Sequence, residues 1–295
     1  MLTIGEIPTG LQPFFETCRD EGGLSKPQFE HFWPAVLAFA VSFRGRNCRE
    51  VYACIQQETC RQKLNDFLTE SPWDGARVLA AACLFAFALL KIGDGEELFV
   101  IFDGTQKLKR GKKIEALGKV KDATRKYPAP GHRYLLCYIR VRGIMLPWSA
   151  SLYLPKQWLA SPQGRSHAAR TGARFKTSNE LAVDALNALP KSWCKRYRVT
   201  VLMDSGFCNK VVCPAVRKLG FHFIAAAQSN RTLRKCRRDG YEGKKITLGR
   251  YAPGCVKFQG RNVELPPKRK GGKPRAFRLA ELTGCANSIP RISRG

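Results

Sequence analysis

Two aspartates in this chain stand at the ends of short apolar runs, 101 residues apart. The first run is Glu97-Leu98-Phe99-Val100-Ile101-Phe102-Asp103, followed by Gly104-Thr105. The second is Tyr197-Arg198-Val199-Thr200-Val201-Leu202-Met203-Asp204, followed by Ser205-Gly206. Runs of β-branched and aromatic residues bounded by turn formers read as buried strands. An acid in last place then sits where sheet gives way to loop. If the two strands are neighbours, both carboxylates leave one sheet edge. Two such anions repel each other unless a cation lies between them, and hard oxygen donors suit Mg²⁺ or Mn²⁺. The plainer alternative is that each Asp merely begins a turn, a common use of that residue.

Charge weighs on that choice. The 295 residues carry a formal charge of +28, unevenly placed. Residues 1–103 hold 9 Lys and Arg against 14 acids, whereas residues 104–295 hold 42 against 9. All the excess positive charge therefore follows the first aspartate. A field of that sign attracts a polyanion, and double-stranded DNA is the expected partner. Lys107, Lys109, Arg110, Lys112 and Lys113 flank Asp103 and suit phosphate contacts, as do Arg231, Arg234, Lys235, Arg237, Arg238, Lys268, Arg269 and Lys270 further on. The 12 cysteines include no CxxC pair, and His31, His132, His167 and His222 are scattered, so neither a zinc site nor a disulfide framework is expected. Cysteines set among apolar residues, as in Ala82-Cys83-Leu84, suit a reducing cytosol. Residues 1–10 lack a basic start and an apolar run, so no signal peptide is expected, and the most apolar stretch, residues 78–90, spans only about 20 Å as a helix, too short for a bilayer. A cytoplasmic, nucleoid-associated protein is expected.

The elements that must position the acids follow from periodicity. Residues 28–43, 49–57 and 60–70 read as helices, and Ser71-Pro72-Trp73-Asp74 reads as a capped start to another. With Arg44, Arg46, Arg49, Arg61 and Lys63 at their turns, these helices suit either a helix-turn-helix reader of DNA or a plain bundle. From residue 96 the period turns to strands. The first ends at Asp103 and leads into a basic loop, a hairpin is expected over 133–142 and 144–154, and a helix over 177–189 capped by Ser178 or Asn179. The second Asp strand, a helix at 210–219 and a strand at 221–228 complete the set. A three-strand meander, then helix–strand–helix–strand, is the order of a ribonuclease H-like α/β fold, in which the first and fourth strands lie side by side. Over residues 229–278, 16 basic residues stand against three acids, and short strand signals at 245–250, 256–258 and 277–282 suit a basic β module. The expected domains are 1–94 (helical, DNA-binding), 95–228 (catalytic core) and 229–295 (basic module, incomplete).

Several of these segments resemble the DDE transposases of bacterial insertion sequences. Leu64 to Trp73 is similar to the segment closing that family's DNA-binding helices. Phe102-Asp103-Gly104-Thr105 with Gly111 to Gly118 is similar to its first catalytic block, and Val201 to Phe207 to its second. Pro130-Gly131-His132 and Leu152-Tyr153-Leu154-Pro155 fit the region between. The resemblance implies metal-dependent cleavage and transfer of DNA strands at insertion-sequence ends, with Asp103 and Asp204 as catalytic metal ligands and a homodimer on DNA as the expected assembly. Relatives often carry two adjacent acids in the first block, but here Gly104 fills the second place. A third acid, a glutamate on a helix after the β module, is also implied, yet Glu242, Glu264 and Glu281 stand in strand or turn contexts. The expectation is a transposase cut short before that acid and catalytically impaired. Beside it stand a non-catalytic protein that occupies transposon ends and a nuclease of the same fold.

Overall fold

The computed structural model describes residues 5–42, 47–55, 60–111, 114–121, 127–236, 242–259, 261–265, 275–279 and 285–286. The first part is helical: α1 (Gln12–Asp20), α2 (Lys26–Val41), α3 (Cys48–Tyr52), α4 (Arg61–Thr69) and α5 (Gly75–Leu89). Helix α2 begins with a capping box between Ser25 and Gln28, and Asn47 caps α3 by accepting from the Glu50 amide. The start of α5 differs from expectation. Asp74, not Ser71, is its cap, accepting from the amides of Ala76 and Arg77 at 2.9 and 3.1 Å, so Pro72 lies outside the helix. Phe15, Phe32, Trp33, Leu64, Phe67 and Val78 form a core among these helices. Helix α5 also serves a second core, since Cys83 and Phe87 pack with the residues of the sheet.

The central sheet is six-stranded and mixed, with the order β2-β3-β1-β5-β6 and β4 paired to β3. Its strands are β1 (Glu97–Leu108), β2 (Gly118–Val120), β3 (Ala129–Val141), β4 (Ile144–Leu152), β5 (Arg198–Met203) and β6 (His222–Ala225). The β3–β4 hairpin turns through Arg142 and Gly143, both at positive φ (49° and 81°), the pairing that matches strand twist in a two-residue turn. Arg142 tolerates that conformation while bound to the Glu96 carboxylate and the Leu90 carbonyl. Between β4 and β5 lie α6 (Lys156–Leu159), α7 (Pro162–Thr171), α8 (Ser178–Asn187) and α9 (Trp193–Arg196). Thr177, one residue before the expected caps, closes a capping box with Glu180 on α8. Helix α10 (Val212–Lys218) joins β5 to β6. The core of this part gathers Leu98, Val100 and Phe102 of β1, Val199, Val201 and Met203 of β5, Ala182 and Leu186 of α8, and Val212 and Val216 of α10. Trp148 of β4 reaches across it to donate to the Ala185 carbonyl.

The last part departs from the expected run of strands. After β7 (Thr232–Cys236) and β8 (Glu242–Thr247), residues 256–258 fall inside a helix, α11 (Leu248–Gln259). Strands β9 (Arg261–Leu265), β10 (Arg275–Leu279) and β11 (Cys285–Ala286) follow. Pro253 and Gly254 hid α11 from a reading by periodicity.

Candidate active site

The register between β1 and β5 decides where the two acids stand. The strands pair in parallel, Glu97 level with Arg198 and Ile101 level with Leu202, a constant offset of 101 residues. Asp103 and Asp204 are separated by that same offset, so continuing the register two places sets them level. Level residues of parallel strands project to the same face. Burial agrees, with Leu98, Val100 and Phe102 inward beside Val199, Val201 and Met203, while Asp103 and Asp204 are both exposed. Adjacent strands lie about 4.8 Å apart, so the extended register sets the backbones of the two acids about one strand spacing from each other.

The backbone around each acid is not what the sequence suggested for the first. Strand β1 does not stop at Asp103. It runs five residues further along β3, pairing Asp103 with Leu136 and Lys107 with His132. Gly104 and Thr105 look like turn residues, yet β3 supplies ladder partners for both. Only the pairing with β5 ends near the acids, because β5 stops at Met203. Asp204 does begin a turn: its carboxylate accepts the Gly206 amide at 2.8 Å, and its carbonyl the Phe207 amide at 3.3 Å. The turn brings Phe207 back under the site, where its ring meets that of Phe102 at 5.8 Å. The residue before one acid thus packs on the residue three past the other, which ties the turn after Asp204 to strand β1 from below.

Two positioning residues escaped the sequence reading. Thr105 donates its hydroxyl to Asp103 Oδ2 at 3.2 Å. Asn209 orders the loop after Asp204, with its Oδ1 accepting from the amides of Val211 and Val212 and its Nδ2 donating to the Gly206 carbonyl. An Asn just before an apolar helix is a capping signal that pointed to this role.

The basic residues divide more sharply. Lys107 is exposed on β1, Lys109 is half-buried just beyond it, and Arg110 is exposed. The expected basic loop is therefore partly strand. Arg231 donates to the Cys208 carbonyl, which ties it to the segment behind Asp204. Arg234 and Lys235 lie on β7. Lys112, Lys113, Arg237, Arg238, Lys268, Arg269, Lys270, Arg44, Arg46 and Glu281 lie outside the described residues. Glu242 and Glu264 fall on β8 and β9, and no residue of α11 is acidic. Among the described residues, no group of three or more His, Cys, Asp or Glu side chains is placed to hold a metal ion.

The family model described as DDE superfamily endonuclease matches residues 35–259, a span that runs from α2 to the end of α11 and includes both acids. The chain belongs to the DDE superfamily endonucleases. No curated protein matches it. An endonuclease of this superfamily acts on nucleic acid, and no helix among the described residues of this one is long and apolar enough to cross a membrane. Cys18, Cys48, Cys54, Cys60, Cys83, Cys137, Cys194, Cys208 and Cys213 of this endonuclease are free thiols. Burial pushes the Cys83 and Cys137 thiols up to about 12, so they stay protonated as core residues.

Proposed function

We propose that residues 95–228 form a ribonuclease H-like core in which Asp103 and Asp204 jointly hold divalent cations, and that the protein cleaves and joins DNA at insertion-sequence ends. The level placement of the two acids on one face of neighbouring parallel strands carries this reading. The donor set fits the ion. Two exposed carboxylates offer hard oxygens with open positions for water and phosphate, which Mg²⁺ and Mn²⁺ prefer to an all-protein cage. Bound there, the metal supplies Lewis acidity for phosphoryl transfer.

The protein's own residues do the placing. Thr105 restricts Asp103 by a hydrogen bond, and the Gly206 amide restricts Asp204, so each carboxylate has one oxygen engaged and one to present. Phe102 and Phe207 close the floor beneath them. Lys107 and Arg110 lie along the path leading away from Asp103 and suit the DNA backbone, where contacts position the duplex without reading its sequence. Residues 1–94 are assigned to DNA-end recognition and 229–295 to a further basic contact surface.

Two carboxylates leave each ion short of protein ligands, so catalysis by this site needs a third acid from outside the described residues. Incubating the chain with supercoiled plasmid, with and without Mg²⁺ or Mn²⁺, tests the reading. Residues 1–295 should bind the plasmid and nick it weakly or not at all. Any nicking should require metal and vanish in Asp204→Ala. Metal-independent nicking, or nicking that survives Asp204→Ala, would refute it.

A further inference from the structure

Beyond the acids, the same end of the sheet holds a cleft of about 690 Å³ where β2 and the end of β4 meet along β3. Among the described residues, three cations line it, Lys119, Arg133 and Lys156, and no acid does. Lys119 and Lys156 are exposed. Arg133 is aimed by two contacts. It donates to the Lys119 carbonyl at 2.8 Å, and its guanidinium lies over the Tyr153 ring at 6.0 Å. A guanidinium has five N–H donors, and the Lys119 carbonyl takes one of them, which leaves donors for an anion. Tyr153, Pro130 and Pro155 give the cleft apolar walls. Its floor needs glycine. A Cβ at Gly131 would lie 2.5 Å from both the Lys107 carbonyl oxygen and Val120 Cγ2, so β1, β2 and β3 converge there as no other residue would allow.

An all-cationic cleft with an aromatic wall suits a nucleic-acid strand, with phosphates on the cations and sugar or base against the ring. Its distance from the acids is set by β1. From Asp103, level with Leu136, to Leu108, level with Gly131, is five residues, or roughly 17 Å at ~3.3 Å per residue, and an odd step along a strand sets Gly131 and Arg133 on the face opposite Asp103. We propose that this cleft is a second DNA-contact site, holding DNA backbone on the face of the sheet opposite Asp103, apart from the stretch bound at Asp103 and Asp204. The proposal rests on the reading of those acids as the site of DNA cleavage.

The test uses the whole chain and a duplex oligonucleotide, with affinity measured from 50 to 200 mM salt. Removing one phosphate-binding cation flattens the slope of log affinity against log salt by about 0.9. Lys119→Ala with Lys156→Ala, both exposed and so expected to leave the melting temperature unchanged, should flatten it by roughly 1.8 and weaken binding by one to two orders of magnitude near 0.1 M salt. A hydroxyl-radical footprint should lose protection over one stretch only, apart from the stretch held at the acids. A slope equal to that of the unaltered chain, or a footprint weakened evenly along the duplex, would overturn the proposal while leaving the acid site standing. If the unaltered chain itself shows a flat slope, the DNA reading of the whole protein fails with it.

Discussion

Strand β1 has two halves that live under different rules. From Glu97 to Phe102 it alternates in burial, with Leu98, Val100 and Phe102 sealed in the core, and Phe99 to Ile101 are paired on both edges. From Asp103 to Leu108 it keeps only β3 along its length, and every residue is exposed. The acid stands at the changeover. Its position is held by the buried half at no cost to its own exposure, because the core ends one residue before it. A reacting carboxylate needs both conditions, a fixed backbone and open coordination positions, and the end of a pairing partner supplies them together.

The contrast can be broken most severely in the buried half. Leu98→Ala removes a side chain with no exposed surface and should cost about 2–5 kcal/mol in denaturant unfolding. Gly131→Ala attacks the exposed half through its support. With backbone 2.5 Å from the new Cβ, β1 must move off β3, and we expect about 1–3 kcal/mol of destabilisation, with hydrogen exchange rising in residues 104–108 before residues 98–102. Asp103→Asn should separate the proposed function from the fold, since an exposed side chain with one weak hydrogen bond should change stability by no more than about 0.5 kcal/mol while removing a proposed metal ligand.

Smaller effects sharpen the same division. Arg142 beside Glu96, with help from the Gly93 amide, holds that carboxyl below its ordinary value. A depressed acid stabilises above its unfolded pKa and loses that contribution as pH falls through the folded value. Stability should therefore drop slightly below about pH 4.5, and Arg142→Met should reduce that part of the acid-side dependence. The least perturbing probe is alkylation of the native protein. Exposed Cys60 and Cys194 should react, and buried Cys83 and Cys137 should not until unfolding.

Much of this arrangement was legible in the residues. Alternation and β-branching marked β1 and β5, and the 101-residue spacing of the acids is the register itself. What stayed hidden has physical causes. The continuation of β1 through Gly104 and Thr105 depends on β3 as a ladder partner, which local propensity cannot see. Helix α7 has a weak apolar face, although Ser161 at its cap, Pro162 at its first position and Gly172 at its end were readable signals. Helix α1 lacks a polar cap, and α11 carries an internal proline. For the proposed site, the two acids are singled out by residue type and spacing alone. The basic cleft was not, because Lys119, Arg133 and Lys156 come from three separate elements.

Whether Asp103 and Asp204 share a cation is best tested by Mn²⁺ titration of the whole chain, followed by electron paramagnetic resonance, with Asp103→Asn and Asp204→Asn alongside. A shared cation predicts Mn²⁺ binding by the unaltered chain, lowered at least tenfold in affinity by either substitution alone, with both variants unfolding as the unaltered chain does. Equal Mn²⁺ affinity in all three proteins would contradict it.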